Sequence, residues 1–206
     1  MNSPTPVQQV DQAFYFIFGV SGVILLGIII ALIYFVVRYS RKRNPIPSRT
    51  RGNVWLEIIW TVVPLTIAMF MFYLGWQSYL GLRDVPENAM AVKVTAQTFQ
   101  WVFEYPSGKV SDGLLMVPKG KPIRLNISSS DTLHSLFIPA FRVKVDAIPG
   151  RQTYAWFYPD EVGTYEIFCA VFCGNGHADM TAKLRILPEE EFNEWIQNKK
   201  DADDDW

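Results

Sequence analysis

Side chains that can bind metals are concentrated in one short segment of this chain. The sequence contains two cysteines and two histidines, and three of these four lie in Cys169-Ala-Val-Phe-Cys173-Gly-Asn-Gly-His177, with Met180 just beyond. The fourth, His134, follows a predicted strand, and a strand can return a distant ligand to a loop. Two thiolates, two imidazoles and a thioether favour copper over hard cations such as magnesium or calcium.

The second cysteine determines how many copper ions we expect. One cysteine with two histidines and a weak methionine is typical of a mononuclear blue-copper site. Two thiolates can instead bridge two copper ions, each capped by one histidine, with Met180 as a weak axial ligand to one of them. A metal with a complete ligand set offers a substrate little except an electron, so the segment predicts electron transfer. Asp179 lies within the segment and is assigned no role.

Two other interpretations use the same residues. A structural disulfide between Cys169 and Cys173 would be stable in an oxidising compartment, but it leaves His134, His177 and Met180 unexplained. A zinc site with two cysteines and two histidines needs no methionine, and zinc ligands usually come in close pairs on both sides.

Two uncharged segments near the start of the chain predict membrane-spanning helices. Residues 13–37 are 25 consecutive residues without a charge, whereas a helix needs about 20 to cross the hydrocarbon core. A cleaved signal peptide is the alternative, but the segment lacks a basic leader and exceeds a signal core of about 7 to 15 residues. Residues 58–80 form a second uncharged segment, in which neighbouring helices can compensate for Pro64. We expect a helical hairpin.

The loop between the two helices is expected on the cytoplasmic side. It has no acidic residue and carries the basic residues Arg38, Arg41, Lys42, Arg43, Arg49 and Arg51. Both termini would then be external. We expect a bacterial cell membrane, with the remaining chain in the periplasm or on the outer surface, rather than a mitochondrial inner membrane.

The charge balance separates residues 1–82 from residues 83–206, which we expect to form the external domain. The first segment has a net charge of +4, whereas the second has thirteen basic and eighteen acidic side chains, a net charge of −5. An acidic domain suits a basic protein partner. The acidic balance excludes nucleic acid as a partner, because phosphate binding needs clustered Lys and Arg.

The external domain is predicted to be an all-β sandwich or barrel. Apolar and polar residues alternate in short runs between Pro and Gly, as in Ile123, Leu125 and Ile127. A short helix should follow Pro188, because a proline and then acidic residues favour a helix start. Residues 201–205 are expected to fray. The predicted strands are residues 91–95, 123–128, 153–158, 164–168 and 181–187.

Over nearly its whole length the chain resembles subunit II of the haem-copper cytochrome c oxidases. The resemblance rests on His134-Ser135, on Lys144-Val-Asp146-Ala-Ile-Pro-Gly-Arg151 and on the segment 169–180. It implies a two-helix membrane hairpin followed by a cupredoxin-like β-sandwich with a dicopper centre, called CuA. In that family the centre accepts electrons from cytochrome c and passes them to a haem in subunit I. Dioxygen is reduced to water there, and protons are pumped.

The resemblance also assigns the copper ligands. The family usually has glutamate where this chain has Val171, and that carboxylate binds a magnesium ion at the interface with subunit I. Valine cannot supply that carboxylate, so the interface magnesium is doubtful. A contact from the main-chain carbonyl to copper is unaffected by the change. The implied copper ligands are His134, Cys169, the backbone carbonyl of Val171, Cys173, His177 and Met180.

Three further roles follow from the resemblance. Trp101, after Gln100 in an aromatic strand, matches the tryptophan that receives electrons, and we expect it on the surface above the copper; a half-buried packing role is the alternative. Glu57 matches the glutamate at the entrance of a proton path into subunit I, and an interfacial carboxylate is the alternative. Asp146 is a candidate contact for a basic cytochrome.

We therefore expect an electron-accepting subunit of a terminal oxidase. The equivalent CuA subunit of a membrane nitric oxide reductase is an alternative, because the ligand loop is shared. A copper carrier is a third hypothesis, but its site should be exposed and exchangeable. A quinol oxidase subunit II is excluded, because it lacks the copper ligands.

Overall fold

The computed structural model describes residues 5–46 and 52–198. The chain divides into two compact units, one over Gln8–Tyr79 and a second that takes the chain from Leu80 onward together with the segment that ends at Val7. Arg49 and Arg51 of the basic loop, and the predicted fraying segment 201–205, lie outside the described residues.

Two long apolar helices form the first part of the chain, as predicted. Helix α1 spans Pro6–Arg38 and helix α2 spans Val54–Arg83. At about 1.5 Å per residue, their 33 and 30 residues give about 50 and 45 Å, more than a hydrocarbon core of about 30 Å. Phe16 and Phe70 meet edge to face with ring centroids 5.2 Å apart, so the helices contact each other. The predicted domain boundary between residues 82 and 83 falls in the last turn of α2 and stays a prediction.

Strands dominate the described chain after α2 and confirm the predicted sandwich. They are β1 (Met90–Gln97), β2 (Gln100–Glu104), β3 (Val110–Asp112), β4 (Leu114–Pro118), β5 (Ile123–Ser129), β6 (His134–Ile138), β7 (Val143–Ala147), β8 (Thr153–Phe157), β9 (Gly163–Cys169) and β10 (Thr181–Leu187). The first sheet has the order β3-β2-β1-β5-β8 and the second has the order β4-β10-β9-β6-β7. β1 pairs in parallel with β5, and β4 with β10, while the other pairs are antiparallel.

Alternating side chains of the two sheets form the core. In β5, Ile123, Leu125 and Ile127 are fully buried, and the polar residues between them are partly exposed. β2 alternates in the same way and directs Trp101 and Phe103 into the core. Each large apolar side chain buried in this way contributes about 1.5–3 kcal/mol. A shift of one residue in either strand would expose these side chains, so burial fixes the strand register.

The predicted helix after Pro188 is present as α3, Glu189–Gln197. Phe192 is buried, and Trp195 meets Tyr105 edge to face with ring centroids 5.1 Å apart. The Nζ of Lys109 donates to the backbone carbonyl of Trp195 at 2.7 Å and lies over its ring. These contacts dock α3 on the sandwich.

Candidate metal centre

Strand pairing in the second sheet brings the predicted ligands together. β6 and β9 are antiparallel neighbours with Leu136 opposite Cys169, so His134 at the start of β6 lies beside the chain that leaves β9. β10 starts at Thr181 and also pairs with β9. Residues 170–180, the ligand loop, therefore leave and rejoin the sheet at the end where His134 lies.

The two cysteines are free thiols, and each lies beside one imidazole. The Sγ atoms of Cys169 and Cys173 are 3.8 Å apart. His134 Nδ1 is 3.9 Å from Cys169 Sγ, and His177 Nδ1 is 3.6 Å from Cys173 Sγ. No disulfide is formed, so both sulfurs and both ring nitrogens are available as metal donors within one small region.

Met180 and Val171 complete the predicted ligand set. The Sδ of Met180 lies 3.8 Å from Cys173 Sγ, and the carbonyl oxygen of Val171 lies 3.3 Å from Cys169 Sγ. The donor atoms of His134, Cys169 and Cys173 lie within 4.8 Å of one another. Two thiols, two imidazole nitrogens, a thioether and a carbonyl fit copper, and copper binding by these residues stays a prediction.

The ligand loop needs its two glycines for different reasons. Gly174 has φ +137°, in the region that other residues avoid. Gly176 has an ordinary φ of −90°, but a Cβ there would lie 2.5 Å from an atom of the Phe99 ring. The sequence indicates a tight turn at these positions, and the structure adds that the Phe99 ring lies against the loop.

Asp131 is a neighbour of the ligands that the sequence analysis missed. Its Oδ1 accepts a hydrogen bond from His134 Nε2 at 2.8 Å, and its Oδ2 accepts one from the Thr98 backbone N–H at 2.6 Å. Partial burial alone would raise the pKa of Asp131, but hydrogen bonds from Thr98, His134 and Thr132 hold that pKa well below its usual range. Asp131 is thus an ionised acceptor. Its position three residues before His134 was the sequence signal by which Asp131 could have been found.

Cys173 is the more accessible of the two thiols, and its proton is held strongly. It is partly exposed, whereas Cys169 is buried. Burial and the adjacent Cys169 raise the pKa of Cys173 to about 11. The metal-free thiol is therefore protonated near neutral pH, and metal binding must displace that proton.

Trp101 is fully buried, so the prediction that it lies on the surface is wrong. Its relative exposure is 0%, because the alternation of β2 turns Trp101 inward and leaves Gln100 and Val102 partly exposed. The indole ring meets the His134 ring edge to face with centroids 6.3 Å apart. Its Nε1 has no hydrogen-bond partner among the described residues. A role in electron transfer stays a prediction, and a donor protein cannot touch this ring directly.

The two predicted acidic sites lie apart in the chain. Asp146 is exposed, and its Oδ1 accepts a hydrogen bond of 2.7 Å from Ser135, which follows His134. Glu57 lies in the first turn of α2, which Asn53 caps by accepting from the Trp55 N–H at 3.1 Å. A carboxylate is favourable at such a helix start. The roles of Asp146 and Glu57 stay predictions.

Comparison with known proteins gives the same family for both parts of the chain. The family described as cytochrome C oxidase subunit II, transmembrane domain, matches residues 2–77. The family described as cytochrome C oxidase subunit II, periplasmic domain, matches residues 107–186.

Individual relatives agree. Cytochrome c oxidase subunit 2 of Cereibacter sphaeroides is 27% identical over 90% of this chain and 74% of its own length. The periplasmic domain of subunit II of cytochrome oxidase of Bradyrhizobium japonicum is 31% identical with a TM-score of 0.53, over 55% of this chain and 95% of that one. A mixed disulfide intermediate between a thioredoxin-like protein and subunit II of cytochrome c oxidase is 30% identical with a TM-score of 0.50, over 55% of this chain and 92% of that one.

Proposed function

We propose that this chain, which belongs to the cytochrome c oxidase subunit II family, admits electrons to its oxidase through a dicopper centre. The chain is a subunit of a haem-copper oxidoreductase complex, and it is a membrane protein with an external cupredoxin-like domain. Two thiol sulfurs 3.8 Å apart, each beside one imidazole nitrogen, are the observation that carries the proposal.

The chain's own residues fit a pair of copper ions. The thiolates of Cys169 and Cys173 and the Nδ1 atoms of His134 and His177 would hold the pair, with Met180 Sδ and the Val171 carbonyl as weaker ligands. When bound, the copper pair supplies a one-electron relay. Val171 offers no side-chain oxygen, so we propose no interface magnesium site that depends on that side chain.

We propose cytochrome c as the electron donor and the haem of subunit I as the acceptor, where dioxygen is reduced to water with proton pumping. Asp146, exposed near the start of β6, is the proposed contact for a basic donor. Glu57 is the proposed proton-path entrance. Trp101 would act as an inner conduit beside His134, because it is buried. The relatives reported above are named as oxidase subunits, which does not favour the nitric oxide reductase alternative.

We propose the orientation in the membrane from the basic loop. Arg38 ends α1, and Arg41, Lys42 and Arg43 follow it before α2, which supports a cytoplasmic loop and two external termini. A bacterial cell membrane is the proposed location, with the copper domain in the periplasm or on the outer surface.

Once oxidised, the thiol pair would need a reducing step before copper could bind. Two free thiols 3.8 Å apart in an oxidising compartment can lose two protons and two electrons to form a disulfide, which cannot bridge copper. The mixed disulfide of a related subunit II with a thioredoxin-like protein supports the proposal that a thioredoxin-like dithiol returns the Cys169–Cys173 pair to thiols. That donor would be oxidised to a disulfide in the exchange.

Copper content and the electron paramagnetic resonance spectrum of the full chain test the central proposal. We expect two coppers per chain and one electron delocalised over both. Cys169→Ser and Cys173→Ser should each abolish that spectrum. Met180→Leu should alter it, whereas Met116→Leu, a buried methionine of the same core, should not. A single localised Cu(II), or zinc as the only metal in chain from its native membrane, would reject the proposal.

A further inference from the structure

The Thr98–Phe99 turn contacts both segments that carry the candidate ligands. It connects β1 to β2, which belong to the first sheet, whereas the ligands come from β6, β9 and the ligand loop of the second sheet. Neither side chain of the turn is a candidate ligand itself. Its contacts reach His134 by one route and the ligand loop by another.

The first route passes through both oxygens of the Asp131 carboxylate. Oδ1 accepts from His134 Nε2 at 2.8 Å and from the Thr132 N–H at 2.6 Å. Oδ2 accepts from the Thr98 N–H at 2.6 Å and from the Thr98 hydroxyl. An aspartate that only capped its own turn would need only Oδ1. The second oxygen is committed to the opposite sheet, so Asp131 bridges Thr98 and His134.

This bridge fixes which nitrogen of His134 can bind a metal. The carboxylate oxygens of Asp131 accept hydrogen bonds from Thr98 and Thr132, so the 2.8 Å contact with the same group places a ring hydrogen on His134 Nε2. Nδ1 then carries the free lone pair, and Nδ1 is the atom 3.9 Å from Cys169 Sγ. Hydrogen bonds of this kind orient metal-binding histidines and fix their tautomer. Since His134 is fully buried, water does not compete for either nitrogen.

The second route is a packing contact on the ligand loop. Phe99 is partly buried against the core, and its ring lies so close to the loop that a Cβ on Gly176 would be 2.5 Å from it. A Cβ on Gly174 would be 3.2 Å from the same ring. These two glycines lie between Cys173 and His177, so the ring supports the loop between two ligands.

We propose that the Thr98–Phe99 turn is a brace between the two sheets, which holds His134 through Asp131 and the Cys173–His177 segment through Phe99. The brace places both ligand segments before metal binds. Its relevance to copper rests on the proposed function, whereas its existence is measurable in the metal-free chain.

The test uses the fact that the chain contains two histidines. The full chain in detergent, labelled with ¹⁵N at histidine and freed of metal by a chelator, should give two imidazole patterns at about pH 8, where an ordinary imidazole is neutral. In the wild type, long-range ¹H–¹⁵N correlations should show His134 as a single tautomer with hydrogen on Nε2. Asp131→Ala should mix its tautomers and leave His177 unchanged. Phe99→Ala should shift or broaden His177 and leave the His134 tautomer unchanged.

Matched variants separate the brace from general loss of structure. Thr98→Val removes the hydroxyl donor and keeps the N–H donor, so it should mix the His134 tautomers less than Asp131→Ala does. Asp160→Ala removes an exposed carboxylate elsewhere and should change neither histidine. Circular dichroism should show wild-type secondary structure in each variant. If Asp131→Ala does not fold, Asp131→Asn and Thr98→Val carry the test, with the same direction of change expected.

Copper provides the second measurement. Loss of an outer hydrogen-bond partner of a metal ligand typically costs 10–100-fold in affinity, so chelator competition should show about that loss of copper affinity in Asp131→Ala. A His134 that keeps one tautomer in Asp131→Ala, or an unchanged His177 in Phe99→Ala, would overturn the brace. If the tautomers change as expected but the wild type binds no copper pair, the brace stands and the proposed function fails.

Discussion

Gly176→Ala is the substitution that tests the ligand loop most directly. The new Cβ would lie 2.5, 2.6 and 2.8 Å from three atoms of the Phe99 ring. Carbon atoms in contact are about 3.5–4.0 Å apart, so the ring or the loop must move by about 1 Å. Because Gly176 has an ordinary backbone conformation, the cost is purely steric. Overpacking of this kind costs about 1–3 kcal/mol.

The distribution of this cost shows whether the loop or the ring yields. If the loop moves and copper binding requires its wild-type position, the loop must return to that position when copper binds. The 1–3 kcal/mol then appears as about 5–150-fold weaker copper affinity. If Phe99 moves instead, the copper-free chain loses stability and copper affinity is kept. We expect the loop to yield, because Phe99 packs against the sandwich core while the loop is held by short turns. Chelator competition measures the affinity, and thermal unfolding of the copper-free chain measures the stability.

Two comparisons make the outcome decisive. Phe99→Ala in the Gly176→Ala background removes the clash, so a double-mutant cycle should give a coupling energy of about 0.5–3 kcal/mol. Gly108→Ala is the control, because Gly108 has φ +82° and open space around it. It should cost some stability and leave copper unaffected, with no rescue by Phe99→Ala. Wild-type copper affinity and stability in Gly176→Ala, or additive effects in the cycle, would refute the packing argument.

Three further predictions follow from the site and its surroundings. Trp101→Phe should lower the free energy of unfolding by about 1–3 kcal/mol, because the indole is fully buried. The same substitution should slow electron transfer from the donor, while direct photoreduction of the copper stays normal. Unchanged donor kinetics would exclude the role of Trp101 as a conduit. In the metal-free chain, alkylation of Cys173 should rise about tenfold per pH unit from pH 8 to 10, because its pKa is raised to about 11; peptide mass mapping that shows a plateau by pH 9 would contradict this. Asp146→Asn should lower the rate constant with a basic cytochrome by up to about fivefold at low salt and not at high salt, since exposed pairs contribute about 0.2–1 kcal/mol. A rate that is flat with salt in the wild type would reject electrostatic steering.

The sequence was sufficient for the two helices and for the grouping of the candidate ligands because both signals are local or compositional. An uncharged stretch such as residues 13–37 has few alternatives to a membrane helix. Cys169, Cys173 and His177 are close in sequence, so a single turn brings them together. His134 could be included among the candidate ligands because it is one of two histidines in the chain. The pairing of β6 with β9 is what places it beside the cysteines.

Contacts between the sheets could not be predicted in the same way. Trp101 was expected on the surface, but its exposure depends on which face of β2 packs on the core, and Trp101 and Phe103 are the residues on that face. Asp131 and Thr98 are far apart in sequence, and neither residue type alone indicates a partner. Their hydrogen bond exists because the β1–β2 turn and the start of β6 lie at the same end of the sandwich.

The burial of the candidate ligands separates an electron relay from a copper carrier. His134 and Met180 have no exposed surface, and Cys169 is buried. A carrier must pass its metal to another protein by ligand exchange, which requires access to these donor atoms. Electron transfer requires only proximity, and the exposed Phe172, whose ring lies 5.9 Å from that of His177, leaves a partner within a short distance of the ligands. Three of the five candidate side-chain ligands are buried and the other two, Cys173 and His177, are only partly exposed, so the site favours electron transfer over release of copper.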